Sequence, residues 1–291
     1  MNSAPLTAAI AMSSLAWIGG VTVRSQGQPS LQVSFTPAAL RPGDVVRVEI
    51  AGAERDGAVT ATVAGQDLSF EYDERDRTWR ALLGLDLDTE PGEYEMTIEQ
   101  PGTATPSTRT VRIVPRRFGV RRLRVAPKFV EPPPATLERI ALEARLLADL
   151  YARASAKQWT GPFHLPLESR PSSNFGTRSY YNGEARSPHA GVDFSGATGT
   201  PIRAVNRGII ALAAPLYFTG NTIVIDHGAR LFSIFAHLSE FRVQTGDVVE
   251  PAAIVGLVGA TGRVTGPHLH WSVRLNGARV DPLSLVAATA E

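Results

Sequence analysis

Cysteine is absent from this chain of 291 residues. Its absence excludes disulfide bonds, thiol nucleophiles, iron–sulfur clusters and cysteine-based zinc fingers. Net charge is nearly absent too, because 29 Lys and Arg residues oppose 28 Asp and Glu residues and leave a formal charge of +1. Such a chain has no bulk attraction to nucleic acid or to an anionic membrane, and we expect neither as a partner.

Long apolar runs are also missing. The first 23 residues contain no charged side chain, but the apolar stretch 8–21 is interrupted by serine and glycine and is too short to span a bilayer. The segment 1–30 resembles the apolar part of a secretory signal, although it lacks a preceding basic region and a clear cleavage site. We therefore predict an exported protein of the periplasm or cell envelope, with an atypical signal segment and no stable membrane span.

The residues that are plentiful favour β-structure. Glycine and proline number 26 and 21, a content that is typical of turn-rich folds. Residues 31–115 contain runs that alternate apolar and polar side chains, such as 46–50 and 94–98, separated by turn residues. About seven strands at this spacing predict an immunoglobulin-like β-sandwich with Trp79 and Tyr94 in its core. This region contains no histidine, and we expect no catalytic site in it.

Residues 116–160 connect this sandwich to a second β-rich region. The stretch 116–128 holds six basic residues, which we interpret as a solvated strand edge rather than a patch for an anionic polymer. Three prolines at 132–134 stiffen the chain. Thr136 is an N-cap residue type at the start of an apolar pattern that predicts a helix over 136–153. We expect this linker helix to pack between the two β-rich domains.

The second β-rich region, 161–291, contains the residues that carry chemistry. Five of the six histidines lie between positions 189 and 291. His189 and Asp193 are four positions apart in a segment whose glycines disfavour a helix. In an extended chain both side chains point to one side, with Gly191 leaving room between them, so they can face one metal ion.

A second same-face pair lies near the C-terminus. In a strand, both imidazoles of His268-Leu269-His270 emerge on one face. Two histidines and one carboxylate form the ligand set of a catalytic zinc site, which keeps one position for water, whereas four protein ligands would close the site. The histidines in excess of this set, His237 and one member of the His268/His270 pair, are then available for proton transfer.

These segments resemble the signature of the lysostaphin/LytM-type zinc endopeptidases of peptidoglycan. The resemblance rests on His189-x-x-x-Asp193, on Ala236-His237-Leu238 and on Gly266-Pro267-His268-Leu269-His270-Trp271, and it extends over about 173–285. It implies one Zn²⁺ per chain and an antiparallel β-barrel-like peptidase core with a narrow groove. Position by position, it implies that the zinc ligands are His189, Asp193 and His270 and that the catalytic histidines are His237 and His268.

Two histidines and the pair Tyr180-Tyr181 lie outside these motifs. His227 matches no ligand position and is predicted to be structural, and His164 is predicted to be incidental. Tyr180 or Tyr181 corresponds only loosely to a tyrosine in the groove of some relatives, so we assign neither a role.

The resemblance implies hydrolysis of peptide cross-links in bacterial peptidoglycan, with the D,D-type bond favoured and peptidoglycan as the partner. The alternative is a catalytically silent envelope protein that activates a cell-wall amidase, and the presence of all five site residues argues against it. A lipoyl-type carrier is excluded because the hairpin tip 259–262 has no lysine. The predicted organisation is therefore mainly β, with an apolar or signal segment (1–30), the sandwich (31–115), the linker with its helix (116–160) and the zinc peptidase domain (161–291).

Overall fold

The computed structural model describes residues 31–101, 105–124 and 132–290. The predicted signal segment lies outside these described residues. Within them, the chain is mainly β, which confirms the predicted fold class. No helix in the described ranges is long and apolar enough to cross a membrane.

The N-terminal β-sandwich consists of two four-stranded antiparallel sheets. In spatial order, the first sheet contains β1 (Gln32–Thr36), β2 (Val45–Ala51), β6 (Thr78–Gly84) and β5 (Glu71–Asp73). The second contains β4 (Gln66–Ser69), β3 (Thr60–Val63), β7 (Gly92–Glu99) and β8 (Ser107–Ile113). The alternating run at 68–72 does not form one continuous strand, because the chain leaves the second sheet at Phe70 and enters the first.

The alternation read from the sequence determines which side chains fill this sandwich. In β2, Val46, Val48 and Ile50 are fully buried between the sheets, whereas the residues between them are half-buried. Trp79 is 5% exposed and joins the same core, and Tyr94 packs partly buried against it. The immunoglobulin-like sandwich predicted from the sequence is confirmed.

The linker forms one short strand and one helix in the described residues, β9 (Val120–Leu123) and α1 (Leu137–Tyr151), the latter preceded by a 3₁₀ turn. Thr136 does not cap the helix with its side chain, because its hydroxyl donates to the carbonyl of Pro133 instead. Only Leu150 of the helix is buried, and it packs with Phe232 and two other residues of the second domain. The helix therefore lies against that domain's sheet, and its expected position between the two domains is not what the structure shows.

The second domain is built on an eight-stranded sheet. In spatial order its strands are β10 (Pro171–Ser173), β13 (Gly191–Ser195), β21 (His268–Leu275), β17 (Leu231–Leu238), β16 (Gly220–Asp226), β15 (Gly208–Leu216) and β19 (Val248–Val249), and β22 (Ala278–Val280) pairs with β21. Every pairing in this sheet is antiparallel.

Two three-stranded sheets and a C-terminal helix complete the domain. One small sheet contains β12 (Glu184–Ala185), β11 (Arg178–Tyr181) and the linker strand β9, and the other contains β14 (Pro201–Arg203), β20 (Ile254–Leu257) and β18 (Glu240–Phe241). The helix α2 (Pro282–Thr289) is capped by Asp281, whose side chain accepts from the backbone N–H of Leu283. The described strands do not close into a barrel, so the barrel-like detail of the prediction is not confirmed.

The sandwich and the second domain share backbone hydrogen bonds and part of one core. The backbone N–H of Asp281 donates to the carbonyl of Gly43 at 2.7 Å, and the N–H of Val45 donates to the Ser284 hydroxyl at 2.8 Å. Val45 and Leu87 of the sandwich are buried in the core of the second domain. The residue boundaries of the predicted domains stay predictions, because some sandwich residues help to fill the second domain.

Candidate metal centre

Two neighbouring strands place three of the candidate side chains opposite one another. β13 and β21 are antiparallel, and their register pairs Asp193 with His270 and Ser195 with His268. Along β21 the exposure alternates, so that Leu269 and Trp271 are fully buried while both histidines lie on the half-buried face. The apolar face of these strands therefore fixes the direction of the polar face.

Gly191 allows the His270 ring to lie close to the neighbouring strand. A Cβ atom at position 191 would lie 2.4 Å from the carbonyl oxygen of Trp271 and 2.8 Å from atoms of the His270 ring. Distances this short require a displacement of the ring or of the strand. A glycine is therefore required here by packing, in agreement with the room expected from the sequence.

His189 lies in the segment that leads into β13. Its backbone is held on both sides, because its N–H donates to the carbonyl of Thr177 at 3.0 Å and its carbonyl accepts from Gly176 at 2.8 Å. These bonds bring the imidazole beside Asp193 and His270. The three groups offer ligand atoms that all lie within 4.8 Å of one another.

The ligand atoms converge closely. The Nε2 atom of His189 lies 3.0 Å from Oδ1 of Asp193 and 3.0 Å from Nδ1 of His270, and the last two atoms are 2.8 Å apart. We call His189, Asp193 and His270 the ligand cluster. The two imidazole nitrogens face each other across the carboxylate oxygen that they share, and a cation between the three atoms would accept a lone pair from each of them.

Backbone carbonyls fix the ring tautomer of three histidines. Nδ1 of His189 lies 3.2 Å from the carbonyl of Asn174, Nδ1 of His237 lies 2.9 Å from that of Thr261, and Nδ1 of His268 lies 2.9 Å from that of Gly266. A carbonyl only accepts, so each Nδ1 carries the proton and each neutral ring keeps a lone pair at Nε2. Metal-binding histidines are oriented in this way, and the donor set therefore fits a zinc ion.

Charge and burial act against each other in the ligand cluster. Burial favours the neutral forms, but hydrogen bonds from His189 and His270 and their charges hold the pKa of Asp193 well below its usual range. For His189, the contribution of burial is likewise outweighed by the hydrogen bond and charge of Asp193, which raise its pKa, while Arg121 opposes the rise. Burial lowers the pKa of His270 despite its contact with Asp193. The carboxylate is thus kept ionised, as a cation ligand must be.

His237 enters the site through an irregularity of the sheet. The register between β16 and β17 shifts near this residue, and His237 adopts a positive φ of 68°, which is rare for a residue other than glycine. Backbone strain of this kind is concentrated at functional sites. The ring is largely buried, its centroid lies 4.9 Å from that of His268, and burial lowers its pKa to about 4. The imidazole is therefore neutral near pH 7.

His268 lies beside His237 and outside the ligand cluster. Its Nε2 atom is 3.9 Å from Oδ1 of Asp193, which is beyond a hydrogen bond and longer than the distances within the ligand cluster. The structure therefore brings all five sequence-predicted site residues together and separates them into three converging ligand atoms and two adjacent imidazoles. The roles of these five residues stay predictions.

The remaining histidines lie elsewhere. His227 is fully buried, with Nδ1 2.8 Å from the carbonyl of Arg207 and Nε2 2.9 Å from the Ser233 hydroxyl. Both ring nitrogens therefore have a neutral partner within the fold. His164 is solvent-exposed at the start of the second domain. The ring of Tyr180 is half-buried and lies under the guanidinium of Arg122.

Sequence reasoning missed one side chain that contacts the ligand cluster. The hydroxyl of Ser173 donates to Oδ2 of Asp193 at 2.8 Å, because β10 pairs with β13 and the register places Ser173 opposite Asp193. This bond occupies the second carboxylate oxygen and leaves Oδ1 for the two histidines. The only signal in the sequence was that Ser173 and the following Asn174-Phe175-Gly176 begin the stretch 173–285 that resembles the family. The residue type itself did not indicate the pairing.

Known proteins share the region that contains this site. The sequence profile of Peptidase family M23 matches residues 187–282. The DD-carboxypeptidase/endopeptidase Mpg of Neisseria meningitidis is 38% identical over 123 residues, which are 42% of this chain and 28% of that protein. The peptidoglycan DD-endopeptidase ShyA of Vibrio cholerae is 37% identical over 121 residues, again 28% of that protein. The chain thus spans less than a third of the length of these curated relatives.

A solved structure extends the similarity to the sandwich. A putative peptidase M23 from Pseudomonas aeruginosa is 31% identical, and the match covers 85% of this chain and 95% of that one with a TM-score of 0.68. The similarity therefore includes most of both domains as well as the region of the ligand cluster. On this match, the chain belongs to peptidase family M23.

Proposed function

We propose that this protein is a zinc-dependent endopeptidase that hydrolyses peptide cross-links of bacterial peptidoglycan, with the D,D-type bond as its target. The observation that carries the proposal is the convergence of two imidazole nitrogens and one carboxylate oxygen beside two further imidazoles. The names of the relatives in Neisseria and Vibrio support the substrate and the D,D bond.

The ligand cluster would hold one zinc ion per chain through His189, Asp193 and His270. When bound, zinc supplies a Lewis acid that polarises a carbonyl group and lowers the pKa of water. The protein's contribution is to keep the carboxylate of Asp193 ionised and the His189 lone pair directed inward, through its bonds to Ser173 and to the Asn174 carbonyl. Both contributions exist before any ion binds.

His237 and His268 would move the protons of the reaction. Each has its Nδ1–H bonded to a carbonyl and a lone pair at Nε2, so Nε2 is the atom that can accept a proton from water and later deliver it to the leaving amine. Because the pKa of His237 is low, its protonated form gives up the proton readily, which suits proton delivery. Both rings have the geometry for either step. We assign the pair together and do not divide the roles.

A catalytically silent envelope protein that activates an amidase is the alternative. The intact ligand cluster and the two oriented imidazoles weigh against it, because a protein without catalysis needs neither a shared carboxylate oxygen nor fixed ring tautomers. We also propose that the protein acts in the periplasm or cell envelope, where cross-linked peptidoglycan lies.

Digestion of purified sacculi tests the proposal. Zinc-loaded protein is incubated with sacculi, and the released muropeptides are separated and identified by mass. An endopeptidase converts cross-linked dimers to monomers, whereas an amidase releases peptides severed from the sugar. Protein stripped of metal with a chelator is the control, and zinc added back should restore the conversion. Unchanged dimers with the zinc-loaded protein would contradict the proposal.

A further inference from the structure

Several arginines within the described residues are paired with carboxylates. Arg80 contacts Glu49 at 2.9 Å, and Arg116 contacts Asp281 at 2.8 Å. Four arginines of the linker differ, because they are exposed and form no ion pair within the described residues. We call them the basic edge, and they are Arg117, Arg121, Arg122 and Arg124.

The basic edge belongs to the wall of the site. Its strand β9 pairs in parallel with β11, in a register that aligns Arg121 with Ser179 and Arg122 with Tyr180. Gly176 and Thr177 directly precede β11 in the chain. On the edge that faces away from β9, their backbone is hydrogen-bonded to the backbone of His189. Two strand spacings of about 4.8 Å separate the backbone of β9 from that of His189. The basic edge therefore lies roughly 10 Å from the backbone of this ligand.

Arg121 extends from one face of β9, because side chains alternate along a strand. On the other face of the strand, the Arg122 guanidinium lies 5.2 Å from the centre of the Tyr180 ring, and an open cavity of about 780 Å³ is lined by Arg122, Arg124, Tyr180, Asn182 and Gly183. Arg122 and Arg124, which form no ion pair within the described residues, therefore line a concave surface of the small sheet that contains β9 and β11.

We propose that the basic edge binds carboxylate groups of an acidic peptide substrate, and the proposal rests on the endopeptidase function above. Guanidinium groups bind carboxylates with paired hydrogen bonds, and unpaired ones at a site select for such partners. An extended peptide advances about 3.3 Å per residue, so a distance of roughly 10 Å places the recognised carboxylate about three residues from the scissile amide. The edge is a specificity determinant, and it is not part of the catalytic machinery.

Peptide binding and cleavage by the full-length, zinc-loaded protein test this proposal. Two soluble cross-linked peptides are compared, identical except that the carboxylates are free in one and converted to amides in the other. We expect R121Q/R122Q/R124Q to bind the free-carboxylate peptide about tenfold more weakly, since three exposed ion pairs are each worth a few tenths of a kcal/mol or more. KM should rise by a similar factor while kcat stays within about twofold, and the amidated peptide should show no change.

A matched variant and a second reagent keep the test decisive. R112Q removes the same charge from an exposed arginine on β8 and should leave both affinities unchanged. Raised salt should reduce the preference for free carboxylates, because exposed charges are screened. Equal affinities of wild type and triple variant for the free-carboxylate peptide would overturn the proposal. Competition by a phosphodiester polymer at equal charge concentration would also overturn the proposal, because the basic edge would then bind anions in general.

The same measurements separate this inference from the proposed function. Selective, edge-dependent binding without cleavage of either peptide would uphold the basic edge and contradict the endopeptidase. Cleavage of both peptides with equal KM in the wild type would uphold the endopeptidase and contradict the role of the edge.

Discussion

His227 and the half-buried ligand cluster are two histidine environments of the same domain, and they use their ring nitrogens in opposite ways. Each nitrogen of His227 meets a separate neutral partner, the Arg207 carbonyl or the Ser233 hydroxyl. In the ligand cluster, nitrogens of His189 and His270 meet each other and share one carboxylate oxygen. The partners of His227 are complete within the fold, whereas the three converging atoms of the ligand cluster could bind a cation.

The electrostatic consequences differ in the same way. Burial lowers the pKa of His227 to about 4, and no acidic group contributes to this change. The ring therefore stays neutral in the fold. The ligand cluster contains an ionised carboxylate that raises the pKa of His189. Burial lowers the pKa of both His227 and His270, so a lowered pKa does not distinguish a structural histidine from a metal ligand. The distinction lies in whether the partners of the ring are separate and neutral or shared and charged.

The largest effect should come from removing a ligand. We expect His189→Ala, Asp193→Ala and His270→Ala each to lower the zinc content from about one ion per chain to a small fraction, with loss of turnover. His227→Gln should retain zinc, because its ring meets no member of the ligand cluster. Metal analysis of the purified proteins after dialysis checks this. Stoichiometric zinc in all three variants would show that His189, Asp193 and His270 are not the zinc ligands.

Removing a neighbouring imidazole should separate metal binding from catalysis. His237→Ala and His268→Ala should keep their zinc and lose about 10²- to 10⁴-fold in turnover, the usual effect of a positioned acid or base. The measurement is kcat on a soluble cross-linked peptide together with metal content. A fully active His237→Ala enzyme would remove that ring from the mechanism. Loss of metal from His268→Ala would mean that the ligand roles of His268 and His270 are reversed.

A smaller effect is expected where a side chain only orients a ligand. Ser173→Ala removes the hydroxyl that holds Oδ2 of Asp193, and we expect zinc affinity to fall by about 10- to 100-fold, as for other partners of metal ligands. Ser172→Ala is the matched control, because that hydroxyl donates to the backbone carbonyl of Asp193 and leaves its carboxylate untouched. Competition with a chromophoric chelator measures both affinities. Equal values for the two variants would contradict the orienting role.

The sequence predicted much of this site because the β-strand period is simple. His268 and His270 share a face wherever the segment is a strand, and buried Leu269 and Trp271 determine which face that is. Spacing gave the two same-face pairs, whereas the position-by-position roles of the five residues came from the family resemblance. His237 turns into the site only through a register shift and a positive φ. No local rule predicts a bulge in a strand that is buried along its whole length.

Contacts between distant segments were not predictable either. Ser173 reaches Asp193 through the pairing of β10 with β13. The linker strand β9 pairs in parallel with β11 of the second domain. The helix was predicted almost to the residue, but its packing partner was not, because the apolar pattern indicates which face is buried and says nothing of what covers it. Periodicity determines local structure, whereas pairing depends on the whole chain.

The smallest expected effect concerns stability and belongs to His227. The unfolded chain binds a proton at this ring near pH 6.5, whereas the folded chain does so only near pH 4. Between these values the unfolded state holds more protons, so the free energy of unfolding falls as the pH falls. We expect the ring to lower stability by about 2 kcal/mol at about pH 5 relative to about pH 7.5, since one pKa unit corresponds to about 1.4 kcal/mol.

Urea unfolding of wild type and His227→Gln at the two pH values isolates this contribution. The variant should lose stability at neutral pH, because a fully buried ring and its two hydrogen bonds are removed, but it should lose less than wild type on acidification. His164→Gln, which changes an exposed histidine, should follow the wild-type pH dependence. Zinc content and kcat of His227→Gln should stay unchanged. An equal loss on acidification in wild type and His227→Gln would mean that the buried ring is not neutral in the fold, and the contrast with the ligand cluster would then rest on geometry alone.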